Sequence, residues 1–208
     1  MNWRKLAGLP VCGAVMALAT LAWANLPDLS LSFAVSNATE QVLVYSVPDG
    51  TGRGFDEAYA AGGILTDATV TLTLLHYGGA PFVDFPFEDL WIETSLGDFV
   101  WCGPGGTVAD QNTDTNGQTT WTNPMYAGGH GTGLVVMVIG EPLEHPPLDY
   151  LFNSADINAD LIVNLTDVVI FASVYWVGYD WIMDFNNDGT LNLTDIVFLA
   201  MALGTECP

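Results

Sequence analysis

Basic residues are scarce in this sequence, where three Lys and Arg oppose 24 Asp and Glu and give a formal net charge of −21. Phosphate recognition needs a basic face, so nucleic-acid binding is excluded and docking on anionic lipid is disfavoured. Half of the residues are apolar, which excludes a disordered acidic tail. The chain is therefore a folded acidic protein of one or two small domains, and its expected cationic partner is a metal ion.

Catalytic motifs are also lacking. The histidines show no His-x-x-x-His spacing for zinc, and no serine lies in a Gly-x-Ser-x-Gly elbow. Glu88, Asp89 and Glu93 lie close together, as a glycosidase pair would, but such a cluster is expected by chance among so many acids. We therefore predict that the protein is not an enzyme.

The first residues have the features of a targeting segment. Residues 1–24 combine Arg4 and Lys5, an apolar run over 6–21 and the small-x-small site Ala22-Trp23-Ala24. This order predicts a cleaved secretory signal peptide, with an N-terminal membrane anchor as the alternative. The mature protein is thus expected to be secreted or held at the cell surface.

Cleavage would leave two cysteines, Cys102 and Cys207. An oxidising compartment would allow them to pair, and the bridge would tie the end of the chain to its first domain. Two free thiols are the alternative, because a sequence does not give the distance between them.

Residues 25–140 carry the pattern of short β-strands. Apolar and small polar residues alternate in seven runs separated by turn sequences such as Asp49-Gly50. The runs are 29–35, 41–47, 69–74, 89–92, 99–102, 119–122 and 134–139. They predict an antiparallel β-sandwich, and the proline-rich residues 141–152 predict an extended linker after it.

Three segments of this region resemble the bacterial immunoglobulin-like domains of the invasin type. Residues 69–75 form a strand-like run, residues 77–81 read Tyr-Gly-Gly-Ala-Pro, and residues 113–117 read Thr-Asp-Thr-Asn-Gly. In that family a strand precedes a D-x-x-G-x-P turn and a later T-D-x-x-G. The resemblance implies an Ig-like sandwich that serves as a spacer or an adhesion domain.

Two twelve-residue segments, loop 1 (156–167) and loop 2 (184–195), repeat the same order of Asp and Asn 28 residues apart. Each offers side-chain oxygens at positions 1, 3, 5, 9 and 12 and a backbone carbonyl at position 7, the spacing by which a loop wraps a hard divalent cation. Oxygen donors alone favour Ca²⁺ over zinc or copper. The predicted ligands of the two Ca²⁺ ions are Asp156, Asn158, Asp160, Ile162, Asn164 and Asp167 in loop 1, and Asp184, Asn186, Asp188, Thr190, Asn192 and Asp195 in loop 2.

Without a cation, the three carboxylates of each loop would repel one another by roughly 1 kcal/mol per pair in water. We therefore expect metal binding and folding of this region to be one event. The alternative is a pair of Asx-rich turns without metal. Each loop leads into a very apolar predicted helix, over residues 166–177 and 194–203, and we expect the two helices to pack on each other.

Residues 153–208 resemble a type I dockerin, the module of cellulosome assembly, whose signature D-x-N-x-D-G-x-x-N-x-x-D occurs twice and is followed by helices. The resemblance implies a module that is folded by Ca²⁺ and binds a cohesin domain through loop positions 10 and 11 and the helix that follows. Those positions are Leu165 and Thr166 in loop 1, and Leu193 and Thr194 in loop 2.

Loop 1 departs from the signature at position 6, where Leu161 replaces glycine. That position usually needs a left-handed backbone, which costs a residue with a Cβ about 1–2 kcal/mol. We therefore predict weaker calcium binding in loop 1 than in loop 2.

Three functions stay open at this point. The first is an exported, non-catalytic protein with an Ig-like spacer and a calcium-dependent docking module. The second is a glycan-directed protein, either carbohydrate-binding or weakly hydrolytic, that is attached to a polysaccharide-degrading complex. Against sugar binding, Trp91, Trp101 and Trp121 lie in strand-like runs and are expected to pack in the core. The third is a calcium-stabilised cap that binds no partner.

Overall fold

The computed structural model describes residues 26–103 and 107–208, so the predicted signal peptide lies outside the described residues. The described chain is mainly β, with two α-helices near its end. The strands are β1 (Phe33–Ser36), β2 (Val42–Ser46), β3 (Ala58–Ala60), β4 (Ile64–Thr66), β5 (Val70–Thr73), β6 (Leu90–Gly97), β7 (Val100–Trp101), β8 (Gln118–Trp121), β9 (Ala127–Gly128), β10 (Gly131–Val138), β11 (Glu141–Pro142) and β12 (Leu148–Ser154). The helices are α1 (Leu165–Tyr175) and α2 (Leu193–Ala202).

Two main sheets enclose the larger apolar core. One has the order β1-β5-β8, and the other has the order β11-β10-β12-β2-β3-β4, with β6 paired to β10. Val70 and Leu72 of β5 are fully buried, and they share one cluster with Val44 and Phe152 of the larger sheet. Because side chains alternate across a strand, each sheet turns one row of aliphatic residues toward the other. The mainly β fold predicted for this region is therefore confirmed.

The linker predicted over 141–152 is wrong at both of its ends, where β11 pairs with β10 and where β12 begins. Strand β12 lies between β10 and β2 inside the larger sheet, and it runs parallel to β2, with Tyr150 opposite Val42 and Phe152 opposite Val44. The prediction of purely antiparallel pairing is wrong at the same place. The strand was missed because both of its faces are largely covered, so it lacks the alternation of apolar and polar residues that marks a half-exposed strand.

The second face of the larger sheet carries the C-terminal region. All five residues of β2 are buried: Val44 points into the core between the sheets, whereas Tyr45 belongs to a second cluster with Phe171 of α1 and Leu199 of α2. The ring of Tyr45 lies 5.3 Å from that of Phe185 in loop 2. Both helices therefore pack on the sheet through one common cluster.

Both helices begin with a reciprocal cap built by the loop before them. Asn164 and Asn192 are the N-caps, and each forms a capping box with the Asp three residues later, Asp167 or Asp195. The predicted helices are confirmed with boundaries shifted by one or two residues. In the part of the chain that the structure describes, neither helix has both the length and the apolar character that a membrane crossing requires.

A disulfide joins Cys102 to Cys207, with 5.5 Å between their Cα atoms. Of the two alternatives that the sequence left open, the structure thus contains the bridge. Cys102 follows β7, which pairs with β9. Next to Cys207, Glu206 forms a β-bridge with Ile162 of loop 1. The disulfide therefore holds the end of the chain beside that loop.

Candidate metal centre

Four carboxylates at the ends of the two loops are completely buried. Asp156 and Asp167 hold positions 1 and 12 of loop 1, Asp184 and Asp195 hold those of loop 2, and each has 0% of its surface exposed. A buried carboxylate is costly unless it is hydrogen-bonded, ion-paired or bound to a metal. None of the four takes part in an ion pair within the described residues, and each accepts hydrogen bonds from backbone N–H groups.

Loop 1 wraps around these two side chains. Asp156 accepts a hydrogen bond at Oδ2 from the N–H of Leu161, at 2.8 Å. Asp167 closes the loop from the other end, since its Oδ1 accepts from Ile157 N at 2.8 Å and its Oδ2 from Asn164 N at 2.9 Å. Asp167 at position 12 is therefore hydrogen-bonded both to the beginning of the loop and to Asn164, the N-cap of α1.

Loop 2 repeats the same bonds 28 residues later. Asp184 accepts at Oδ2 from Gly189 N, at 2.8 Å. Asp195 accepts from Phe185 N and from Asn192 N, both at 2.9 Å. The repeat seen in the sequence is thus a repeat of three-dimensional structure.

Position 6 has a left-handed backbone in both loops. Leu161 has φ of +67° and Gly189 has φ of +83°. The conformation expected at this position is therefore confirmed, and Leu161 adopts it against the preference of its Cβ. That calcium binds more weakly to loop 1 stays a prediction.

Amide groups surround the carboxylate at position 5. Nδ2 of Asn186 and Nδ2 of Asn192 both donate to Oδ2 of Asp188, at 3.0 and 2.9 Å. In loop 1, Nδ2 of Asn158 donates to Asp160 at 2.9 Å. The buried Oδ1 of Asn186 has no hydrogen-bond partner, which is unusual for a buried oxygen. A cation at this place would satisfy it.

The donor set of the loops fits a hard cation. Carboxylate, amide and backbone oxygens supply all the predicted ligands, including the carbonyls of Ile162 and Thr190. Within the described residues, His, Cys, Asp and Glu side chains alone form no group of three that could hold a metal. A metal in either loop would therefore depend on Asn side chains and carbonyls as well as on carboxylates.

Burial shifts the protonation of two predicted ligands. It raises the pKa of Asp156 to about 6, and it raises the pKa of Asp195 to about 6 against the lowering effect of backbone hydrogen bonds. Burial also acts to raise the pKa of Asp188, but hydrogen bonds from Thr190, Asn186 and Asn192 together bring it below its ordinary value. The pKa values of Asp156 and Asp195 in the metal-free protein are therefore closer to neutral pH than those of ordinary carboxyls.

One hydrogen bond to the predicted calcium ligand Asp184 was not predicted from the sequence. The hydroxyl of Tyr179 donates to Oδ2 of Asp184 at 2.9 Å. Burial raises the pKa of Tyr179 to about 12, with a further contribution from this bond. The residue 28 positions earlier is Leu151, so loop 1 has no equivalent hydroxyl. This break in the repeat was the available signal.

The residues predicted to bind a partner lie on the surface. Leu165 is 72% exposed and Leu193 is 69% exposed, and Thr166 and Thr194 beside them are exposed as well. Each leucine begins an exposed apolar row along its helix, defined here as the α1 stripe (Leu165, Val169) and the α2 stripe (Leu193, Val197, Met201). Trp176 follows α1 and is 85% exposed.

The side chains considered for catalysis or sugar stacking have structural contacts instead. Glu93 accepts a hydrogen bond from Nε1 of Trp91 at 2.9 Å. Trp121 is buried and donates to a backbone carbonyl. His76 stacks on Phe82, with 3.9 Å between the ring centroids.

The chain was compared with protein-family models, with curated proteins and with solved structures, and no match was found in any of the three.

Proposed function

We propose that this is an exported, non-catalytic protein whose C-terminal region, residues 153–208, is a dockerin-like module that binds two Ca²⁺ ions and docks a cohesin-type protein domain. The β part before it serves as an Ig-like spacer or adhesion domain. The observation that carries the proposal is the repeated loop and helix: two loops with buried carboxylates that accept the same backbone hydrogen bonds, each leading into a helix with an exposed apolar stripe.

The calcium proposal rests on charge and burial. Each loop carries three carboxylates. Two of them are completely buried and have no cationic side chain as partner in the part of the chain that the structure describes. When bound, Ca²⁺ would supply the positive charge that these groups lack. The position-12 Asp holds each loop in shape, because it accepts hydrogen bonds from the N–H groups of positions 2 and 9.

The docking proposal rests on the two stripes. Leu165 and Val169 on α1 are exposed in the same places as Leu193 and Val197 on α2, and Met201 extends the α2 stripe where α1 has Ser173. Exposed apolar patches of this kind mark interaction sites. Because the chain is strongly acidic, a partner with basic groups around an apolar patch would be favoured. The near-identity of the two stripes is compatible with docking in two orientations.

A calcium titration followed by a binding assay tests both parts. We expect isothermal titration of the whole mature chain to show two Ca²⁺ sites. Immobilised chain is then expected to capture a type I cohesin domain in calcium but not in chelator. The double variant Leu165→Asp/Leu193→Asp is expected to lose capture and keep both calcium sites. Tyr77→Asp is the matched control, since Tyr77 is exposed but lies in the β part. Capture that is unchanged by chelator or by the double variant would contradict the proposal.

A second candidate, carbohydrate binding by the β part, is favoured by one cavity. The cavity measures about 350 Å³ and is lined by Tyr126, Asp110 and Asn123 over the buried Trp121. Tyr126 is 39% exposed, and its ring is a candidate for stacking on a sugar. A glycan array with Tyr126→Ala as the comparison tests this reading, which fails if no glycan is bound or if the variant binds equally well. If neither cohesin nor glycan binds, the calcium-stabilised cap is the function that stands.

A further inference from the structure

The turn after β9 lies directly against loop 1. Strand β9 is held by β7, with Gly128 opposite Val100. The next residue, Gly129, donates its N–H to the carbonyl of Asp156 at 2.7 Å. This turn of the β part therefore contacts the residue at position 1 of the loop, the first predicted calcium ligand.

Gly128 leaves the space that the carboxylate of Asp156 occupies. A Cβ on Gly128 would lie 1.8 Å from Oδ2 of Asp156 and 2.7 Å from its Cγ. Both atoms are far inside van der Waals contact, and Asp156 is fully buried, so the carboxylate could not simply swing into solvent. Either the turn or the position-1 ligand would have to move.

The backbone conformation does not itself require glycine at this position. Gly128 is not among the residues with positive φ, so an L-residue could adopt its backbone angles. Its neighbour Gly129 differs, because its φ is +79° and a Cβ there would also meet the carbonyl of Asp98. The demand for glycine at position 128 thus comes chiefly from the side chain of Asp156.

We propose that Gly128 is a positioning residue for the calcium site of loop 1, so that this site is built jointly by the C-terminal module and the β part. The inference rests on the proposed function. The calcium affinity of loop 1 would then depend partly on a turn almost thirty residues earlier in the chain. The C-terminal module would not be structurally independent of the β part.

Loop 2 is held by the β part in a different way. The N–H groups of Gly62 and Gly63 donate to the carbonyl of Asn187, at 2.9 and 3.0 Å, and Nδ2 of Asn187 donates to the carbonyl of Tyr59 at 3.1 Å. Asn187 holds position 4 and is not a predicted ligand, and the position-1 residue Asp184 accepts its extra bond from Tyr179. A change at Gly128 should therefore leave loop 2 unaffected.

Calcium titrations of single-site proteins test this selectivity. In an Asp188→Ala background only loop 1 is expected to bind, and in an Asp160→Ala background only loop 2. Gly128→Ala is expected to weaken calcium binding at least tenfold in the first background, a typical effect for a residue that orients a metal ligand, and to leave the second unchanged. Gly178→Ala is the matched control, since its Cβ would meet no atom within 4 Å. Equal effects in the two backgrounds, or no effect in either, would overturn the proposal.

A double-mutant cycle keeps the proposal testable if Gly128→Ala folds poorly. Urea unfolding in saturating calcium is measured for wild type, Gly128→Ala, Asp156→Ala and the double variant. Because the clash involves the carboxylate, Gly128→Ala is expected to lower the unfolding midpoint much less when Asp156 is already alanine. The same drop in both backgrounds would refute the positioning role. Absence of calcium binding by the wild type would instead remove the proposed function, and the two failures are thereby distinguished.

Discussion

Removal of the Cys102–Cys207 disulfide is expected to cost this protein a large part of its stability. The two cysteines are 105 residues apart in the chain. In the chain-entropy account, closing a loop of that length removes about 2.1 + 1.5R ln n from the entropy of the unfolded chain, which is roughly 16 cal/mol/K or about 4.8 kcal/mol at 25 °C. For a chain of this size, the loss corresponds to a fall in Tm of roughly 10–20 °C.

The double variant Cys102→Ala/Cys207→Ala tests this value. Urea unfolding of the variant and of the oxidised wild type, both in saturating calcium, gives the difference in the free energy of unfolding. Wild type treated with reductant is the control, since it loses the bond but keeps both sulfur atoms in the structure. A difference below about 1 kcal/mol would refute the reasoning, because the bridge would then place little constraint on the unfolded chain.

Three further predictions concern the loops. Leu161→Gly should relieve the left-handed strain in loop 1 and raise its calcium affinity about five- to thirtyfold, as measured by titration. Tyr179→Phe should weaken calcium binding to loop 2 roughly tenfold and spare loop 1, because only Asp184 loses a hydrogen bond. The raised pKa values of Asp156 and Asp195 give the metal-free protein stability that is fully present below the ordinary carboxyl pKa, near 4, and is lost as the pH rises through about 6. Metal-free protein should therefore melt higher at pH 5 than at pH 7.5, whereas protons should weaken calcium binding roughly tenfold per carboxyl at pH 5.

Each of these has a result that would contradict it. An unchanged loop 1 affinity in Leu161→Gly would mean that Leu161 carries the same strain in the metal-free loop as in the calcium-bound loop. Equal effects of Tyr179→Phe on both loops would mean that the hydroxyl acts on the fold instead of on Asp184. A metal-free Tm that rises steadily from pH 5 to pH 7.5 would show that other carboxyls dominate the titration.

The loops and helices were predictable because their determinants are local. Twelve consecutive residues define each loop, and the caps Asn164 and Asn192 belong to the same twelve, so the start of each helix was placed to within one residue. Strand β5 was equally predictable, since Val70 and Leu72 alternate with threonines and both are buried on the face toward the core.

The packing of the two regions was not predictable, because it depends on residues far apart in the sequence. Strand β12 reaches β2 across about a hundred residues. Tyr45 on β2 could equally have faced solvent, and its partners Phe185 and Phe198 lie in another region of the chain. Gly128 carries no local signal either, since its constraint arises from Asp156.

The covalent ring from Cys102 to Cys207 also has a mechanical consequence. The ring contains β12, both loops and both helices. A pulling force on the helices would therefore be carried through two connections. One is β12, which pairs with β2 and β10 in the interior of the sheet, and the other is the disulfide from Cys207 to Cys102 beside β7. Peeling the helices from the sheet does not release them from β7 unless a covalent bond breaks. The region that presents the apolar stripes is thus anchored at both of its ends.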